Sequence, residues 1–235
     1  ALIAGGVILA VVAVLAVVLF RTPPVDRGNI ERLQGIYFIN PVVSQLNFDG
    51  GSEIPPEWRE VGEVPLKVMN KLLMPAATQP TKDDKHEYKA GALVLAESIP
   101  ADQPRMVDVT LRVKQVNDAV IPEVFVAEGP LDDMKASGGH ELVWLLKGGI
   151  PQIALADGRV PGQGEKFDPR KGQMLNVKVR FNKDTVIVES GDKRLYEGPH
   201  KLSETGPRYV GVRFRRKVGD GSEAVGMVSI NVLKP

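Results

Sequence analysis

The sequence predicts an all-β fold: an antiparallel β-sandwich preceded by a single transmembrane α-helix. Three observations predict it. Val-rich segments alternate apolar and polar residues with period two, the mark of strands with one buried face. The chain holds 24 Gly and 18 Pro with only 6% aromatic residues, a mixture that favours short strands joined by turns. Its first twenty residues, ALIAGGVILAVVAVLAVVLF, carry no charge.

That opening run, Ala1 to Phe20, is taken as the membrane span. At ~1.5 Å rise per residue, about twenty helical residues cross the ~30 Å hydrocarbon core. A secretory signal has a shorter apolar region and a small-residue cleavage site, whereas this run ends in Leu19, Phe20 and Arg21. Ala4, Gly5, Gly6, Ala10 and Ala13 are candidate helix-packing positions, because small residues let a second transmembrane helix approach. Residues 21–35 read as a juxtamembrane linker, with one helical turn near Ile30 to Leu33. Arg21, Arg27 and Arg32 would on charge alone favour a cytoplasmic domain.

Residues 36–235 form the predicted sandwich domain. Gly35 to Asn40 is a short strand candidate. The stretch from Leu46 reads as a loop leading into a hairpin around Asn70-Lys71, and Gln79 to Tyr88 as a polar loop. Gly91 to Ile99 is a buried strand. Val107, Val109, Leu111 and Val113 line one face of the next strand, against Asp108, Thr110, Arg112 and Lys114. Ile121 to Ala127 is apolar, Pro130 to His140 is a turn-rich insertion, and Glu141 to Lys147 reads as a buried strand or a short helix. The final third reads as a meander. Leu175 to Phe181 and Val186 to Val188 form a first pair, Arg194 to Glu197 follows, and Val210, Val212 and Phe214 lead through a Gly219-Asp220-Gly221 hairpin turn into Val228, Ile230 and Val232.

Two segments together resemble a known family. Phe48-Asp49-Gly50, Pro56-Glu57-Trp58, Gly62 and Val68 to Leu72 are similar to the opening of concanavalin A-like (laminin-G/lectin–glucanase) jelly-roll domains. Tyr196-Glu197-Gly198, Arg208 to Phe214 and Ser229 to Val232 are similar to their ending. The resemblance implies an extracytoplasmic antiparallel jelly-roll β-sandwich with carbohydrate recognition or hydrolysis as its activities. The hydrolytic branch carries a Glu-x-Asp-x-x-Glu strand that sets two carboxylates across a cleft. Here the nearest acidic spacing, Glu189, Asp192 and Glu197, straddles a turn, so no enzyme is expected.

Other chemistry is excluded by residue type. The chain has no Cys, hence no disulfide, thiolate metal site or thiol nucleophile. His86, His140 and His200 lie far apart in predicted solvated loops, without metal-ligand spacing. Asp83-Asp84 and Asp132-Asp133 lack a calcium-loop pattern. No cofactor or metal is expected, and a net charge of +1 gives no global field for nucleic acid.

The distinctive polar feature is the run Arg208, Tyr209, Arg213, Arg215, Arg216 and Lys217. Arg213 and Arg215 share the outward face of one strand with Tyr209, a basic ribbon suited to anionic lipid headgroups, an acidic protein partner or an acidic glycan. The alternative is a charged edge strand guarded against sheet-to-sheet pairing. Two functions remain in play. The first is a non-enzymatic accessory or scaffold subunit of a larger integral-membrane complex, respiratory, photosynthetic or secretory. The second is a membrane-anchored carbohydrate-binding module, with Trp58, Trp144 and Tyr196, and Tyr209 of the basic run, as candidate glycan contacts.

Overall fold

A computed structural model describes residues 31–33, 36–38, 42–49, 53–79, 87–128 and 140–235, with side chains from residue 42 onward. The predicted span, its five helix-packing residues, His86 and both acidic pairs lie outside the described residues. In the linker, the expected helical turn is instead a strand. β1 (Glu31–Leu33) pairs antiparallel with β2 (Ile36–Phe38).

Two antiparallel sheets face each other. The strands of the first half are β3 (Val42–Asn47), β4 (Trp58–Gly62), β5 (Leu66–Met69), β6 (Leu72–Pro75), β7 (Tyr88–Leu95), β8 (Arg105–Val113) and β9 (Val120–Glu128). The second half supplies β10 (Glu141–Lys147), β11 (Ile150–Ala154), β12 (Gly162–Gln163), β13 (Met174–Phe181), β14 (Thr185–Ser190), β15 (Lys193–Pro199), β16 (Arg208–Lys217) and β17 (Val225–Leu233). One sheet runs β12-β11-β10-β9-β16-β7-β4. The other runs β15-β14-β13-β8-β17-β6-β5, with β3 also on β17.

Period-two alternation builds the core between them. Val107, Val109, Leu111 and Val113 of β8 are fully buried, opposite Val177 and Val179 of β13. From the facing sheet come Val124 and Val126 of β9, Trp144 of β10, and Val210, Val212 and Phe214 of β16. Glu141 to Lys147 is a strand, because its two sides meet two apolar surfaces. Trp144 enters the inter-sheet core, while Val143 joins a second cluster on the outer face.

Three local readings change. Gly219-Asp220-Gly221 is no hairpin turn: β16 and β17 lie in different sheets, and this segment carries the chain from one to the other. Along β17 the inward row is Met227, Ile230 and Val232, because a register shift between Met227 and Ser229 turns Val228 to a separate outer cluster. Strands β3, β4 and β11 sit where a loop or nothing was expected. β10 and β11 form a hairpin whose turn, Gly148-Gly149, has both residues at positive φ.

The β5–β6 hairpin closes on Asn70 and Lys71, at φ 52° and 63°. Asn tolerates that left-handed region and Lys does not. Replacing Lys71 by Gly is expected to raise stability by about 1 kcal/mol, read as a shifted urea midpoint at constant slope. The exposed Lys71–Asp49 pair, at 3.9 Å, adds little to be lost.

Candidate functional site

Strand β16 positions most of the predicted polar residues, and it is central rather than an edge. β9 lies on one side and β7 on the other. Its alternation splits the basic run between two faces. Arg208 and Arg216 belong to the core row with Val210, Val212 and Phe214, whereas Tyr209, Gly211, Arg213, Arg215 and Lys217 face outward. The solvated basic ribbon is therefore not what forms. Arg208, Arg213 and Arg216 are 0%, 1% and 3% exposed, Arg215 is one-third exposed, and only Lys217 reaches well into solvent, where it pairs with Glu87 at 3.3 Å.

On the outward face the cations are neutralised by carboxylates from the neighbouring strands. Arg213 Nε donates to Glu123 Oε2 at 2.5 Å. Its two terminal nitrogens fork onto Glu141, at 3.1 and 2.9 Å. Arg215 holds the other oxygen of Glu123 at 2.6 Å. Antiparallel register explains the geometry: Arg213 lies opposite Glu123, and its side chain crosses Phe125 to reach Glu141 on β10. The guanidinium carbon sits 5.3 Å from the Phe125 ring centre, in the range of a cation–π contact.

Phe125 has that space because its cross-strand partner is Gly211. A Cβ there would come within 2.3 Å of the Leu93 carbonyl and 2.8 Å of the ring. Around the ion cluster lie buried Ala92, Val94, Ala127 and Val143, with Val61, Leu145 and Tyr209 half-buried at the margin. Burial raises the Glu123 carboxyl above the ordinary Glu value, and the two guanidiniums pull the other way. Burial also works against charge on Arg213, yet Glu123 and Glu141 hold it above the usual Arg value. The accessible rim of the cluster is Tyr209, Glu141 and Arg215.

Two further arginines tie the sheets together at opposite ends of β16. Arg216 donates to the carbonyls of Asp220, Pro75 and Ser222 at 2.8, 2.8 and 3.0 Å. Arg208 donates to those of Asn182 and Lys183, both at 2.5 Å, over the face of Phe181. Hydrogen bonds from charged donors are worth about 1.5–3 kcal/mol each, so these residues brace the sandwich and present no surface. Burial holds both below the ordinary Arg value.

The candidate glycan aromatics Trp58, Trp144 and Tyr196 are not brought together with Tyr209. Trp144 is fully buried in the core. Trp58 is 4% exposed, with its indole N–H donated to Ser44 Oγ at 2.7 Å. Tyr196 is half-buried on β15, at the edge of the other sheet, its hydroxyl donating to the Pro199 carbonyl at 3.0 Å. His200, expected in solvent, is 0% exposed; His140 is exposed.

An acidic pattern closer than Glu189, Asp192 and Glu197 lies in β9. Glu123-Val124-Phe125-Val126-Ala127-Glu128 keeps the outer glutamates of Glu-x-Asp-x-x-Glu and places Phe125 at the aspartate position. The signal was available in the spacing. Glu123 faces outward, whereas Glu128 accepts the Ser203 N–H at the end of the strand. Glu189 and Glu197 instead both pair with Arg194, at 3.7 and 2.5 Å.

No family model and no curated protein matches the sequence. Solved structures do match. The carbohydrate recognition domain of Emp47p superposes with a TM-score of 0.56 at 12% identity, covering 81% of this chain and 94% of that one. LamAcat from Zobellia galactanivorans gives 0.57 at 12%, covering 83% and 98%. The metal-free lectin I-B4 from Griffonia simplicifolia gives 0.54 at 11%, covering 80% and 98%. At these identities the likeness is one of fold: the described residues from 42 onward build an all-β antiparallel jelly-roll sandwich like those of these structures.

Proposed function

We propose that the chain is a membrane-anchored, extracytoplasmic carbohydrate-binding module without catalytic activity, which meets its glycan on the outer face of the seven-stranded sheet. The observation that carries the reading is the prebuilt rim of Tyr209, Glu141 and Arg215 around a neutralised ion cluster, on a fold shared with a carbohydrate recognition domain and a lectin. Sugar hydroxyls suit planar carboxylate and guanidinium groups held in fixed positions, and an apolar sugar face suits the Tyr209 ring. Catalysis is disfavoured by the same cluster. A retaining glycosidase needs two carboxylates free to act as acid and nucleophile, whereas Arg213 occupies the space between Glu123 and Glu141.

A glycan array probed with the full chain in detergent tests the reading. Discrete hits are expected, and Tyr209→Ala should weaken them about tenfold, the cost of one interfacial aromatic, while leaving the melting curve nearly unchanged. An array without hits would sink the proposal.

The second reading, an accessory or scaffold subunit of an integral-membrane complex, is favoured by the apolar run with its small residues Ala4, Gly5, Gly6, Ala10 and Ala13. It requires integral-membrane partners to co-purify in mild detergent and to appear in native mass spectra. Recovery of a lone monomer would count against it.

A further inference from the structure

The knot at the Arg208 end of β16 holds a histidine that no binding role uses. His200 and Arg208 are both 0% exposed, and His200 Nε2 lies 3.0 Å from an Arg208 terminal nitrogen. The hydrogen bonds settle the tautomer. Leu202 N–H donates to His200 Nδ1 at 3.0 Å, so Nδ1 carries a lone pair. The proton is then on Nε2, which donates to the Asn182 carbonyl at 3.1 Å. The same carbonyl accepts from Arg208, and another bond joins Arg208 to the Ser203 carbonyl at 3.4 Å. The β13–β14 turn, the 200–207 segment and the start of β16 thus meet at one neutral imidazole and one guanidinium.

We propose that His200 and Arg208 form an acid-sensitive latch between the two sheets, which releases the 200–207 segment when the imidazole takes a second proton. That proton could go only to Nδ1. It would remove the acceptor of the Leu202 N–H and set two cations 3.0 Å apart without water between them. The charged groups acting on the imidazole are Arg208 from β16 and Asp184 from the β13–β14 turn; Lys183 reaches the ring through its backbone, its ammonium pairing with Glu204 at 3.2 Å. Glu128 at the end of β9 faces Arg208 and caps Ser203. The nearby Asp157 is taken up by Arg159 at 2.7 Å.

Burial first, and the Arg208 charge second, hold the imidazole below its ordinary value of 6.5, against the smaller pull of Asn182 and Asp184. The sign follows. A group whose pKa is depressed in the closed state stabilises that state above about pH 6.5, and the contribution is lost as pH falls towards the depressed value. Acid opens the latch, and neutral pH closes it.

Hydrogen exchange of the full chain in detergent, corrected for intrinsic exchange, tests the latch without reference to any ligand. Protection of the Leu202 and Ser203 amides should fall as pH drops below about 6.5, by up to roughly tenfold per pH unit, while that of Val107 to Leu111 in β8 stays flat. His200→Asn keeps an acceptor for the Leu202 N–H and should abolish the pH dependence. If that variant does not fold, the ring proton shifts of wild-type His200 serve instead, and protonation must coincide with loss of protection. Flat protection in the wild type would overturn the proposal, as would an unchanged pH profile in the variant or an imidazole that protonates while both amides remain closed.

Discussion

Arg213→Met is expected to destabilise the fold by about 3–5 kcal/mol, the cost of leaving a buried partner charge uncompensated. Glu123 is 2% exposed at its side chain and would keep only Arg215. Glu141, 12% exposed, can turn to water, so the penalty falls on Glu123. The second part of the prediction separates charge from packing. Glu123→Leu combined with Arg213→Met removes both charges and leaves apolar groups beside Phe125, Ala92 and Val94, and should recover most of the loss. Urea unfolding of both single variants and the double variant closes the cycle. A single-variant cost below about 1 kcal/mol would mean that the cluster is solvated in solution.

Trp144→Ala is expected to cost about 3–5 kcal/mol and to lower the melting temperature by roughly 10 °C. Trp144 is fully buried between the sheets, among Leu142, Leu146 and Ile153. A contact residue for a glycan would behave differently, losing affinity at constant stability. Calorimetry beside the glycan array distinguishes the two, and an unshifted melting temperature would return Trp144 to the surface.

Period-two alternation made much of the sandwich legible, since it states which residues share a face. It placed Val107 to Val113, Val177 to Phe181 and Val210 to Phe214 correctly. It could also have divided the basic run, since Arg208 and Arg216 stand in phase with Val210, Val212 and Phe214. Grouping them with Arg213 by charge type overlooked that phase. Other features were beyond a local pattern. A bulge at Val228 shifts the phase of β17. A Gly-Asp-Gly turn looks the same whether it joins strands of one sheet or of two. The outer face of the seven-stranded sheet carries its own cluster of buried apolar residues around the ion pairs, so an outward position there is not by itself a wet one. The candidate site was half legible: Arg213, Arg215 and Tyr209 were named, but Glu123 and Glu141 lie 90 and 72 residues from Arg213 in sequence, and only strand pairing joins them.

The placement of the last two strands sets the timing of folding. β16 fills the slot between β9 and β7, and β17 the slot between β8 and β6. Until both have paired, each sheet has a gap in its middle, with the facing edges of β9, β7, β8 and β6 bare. Non-local pairing of this kind is slow and leaves edges open to aggregation. The sandwich would therefore close late, when these two strands take their central places and complete both sheets together.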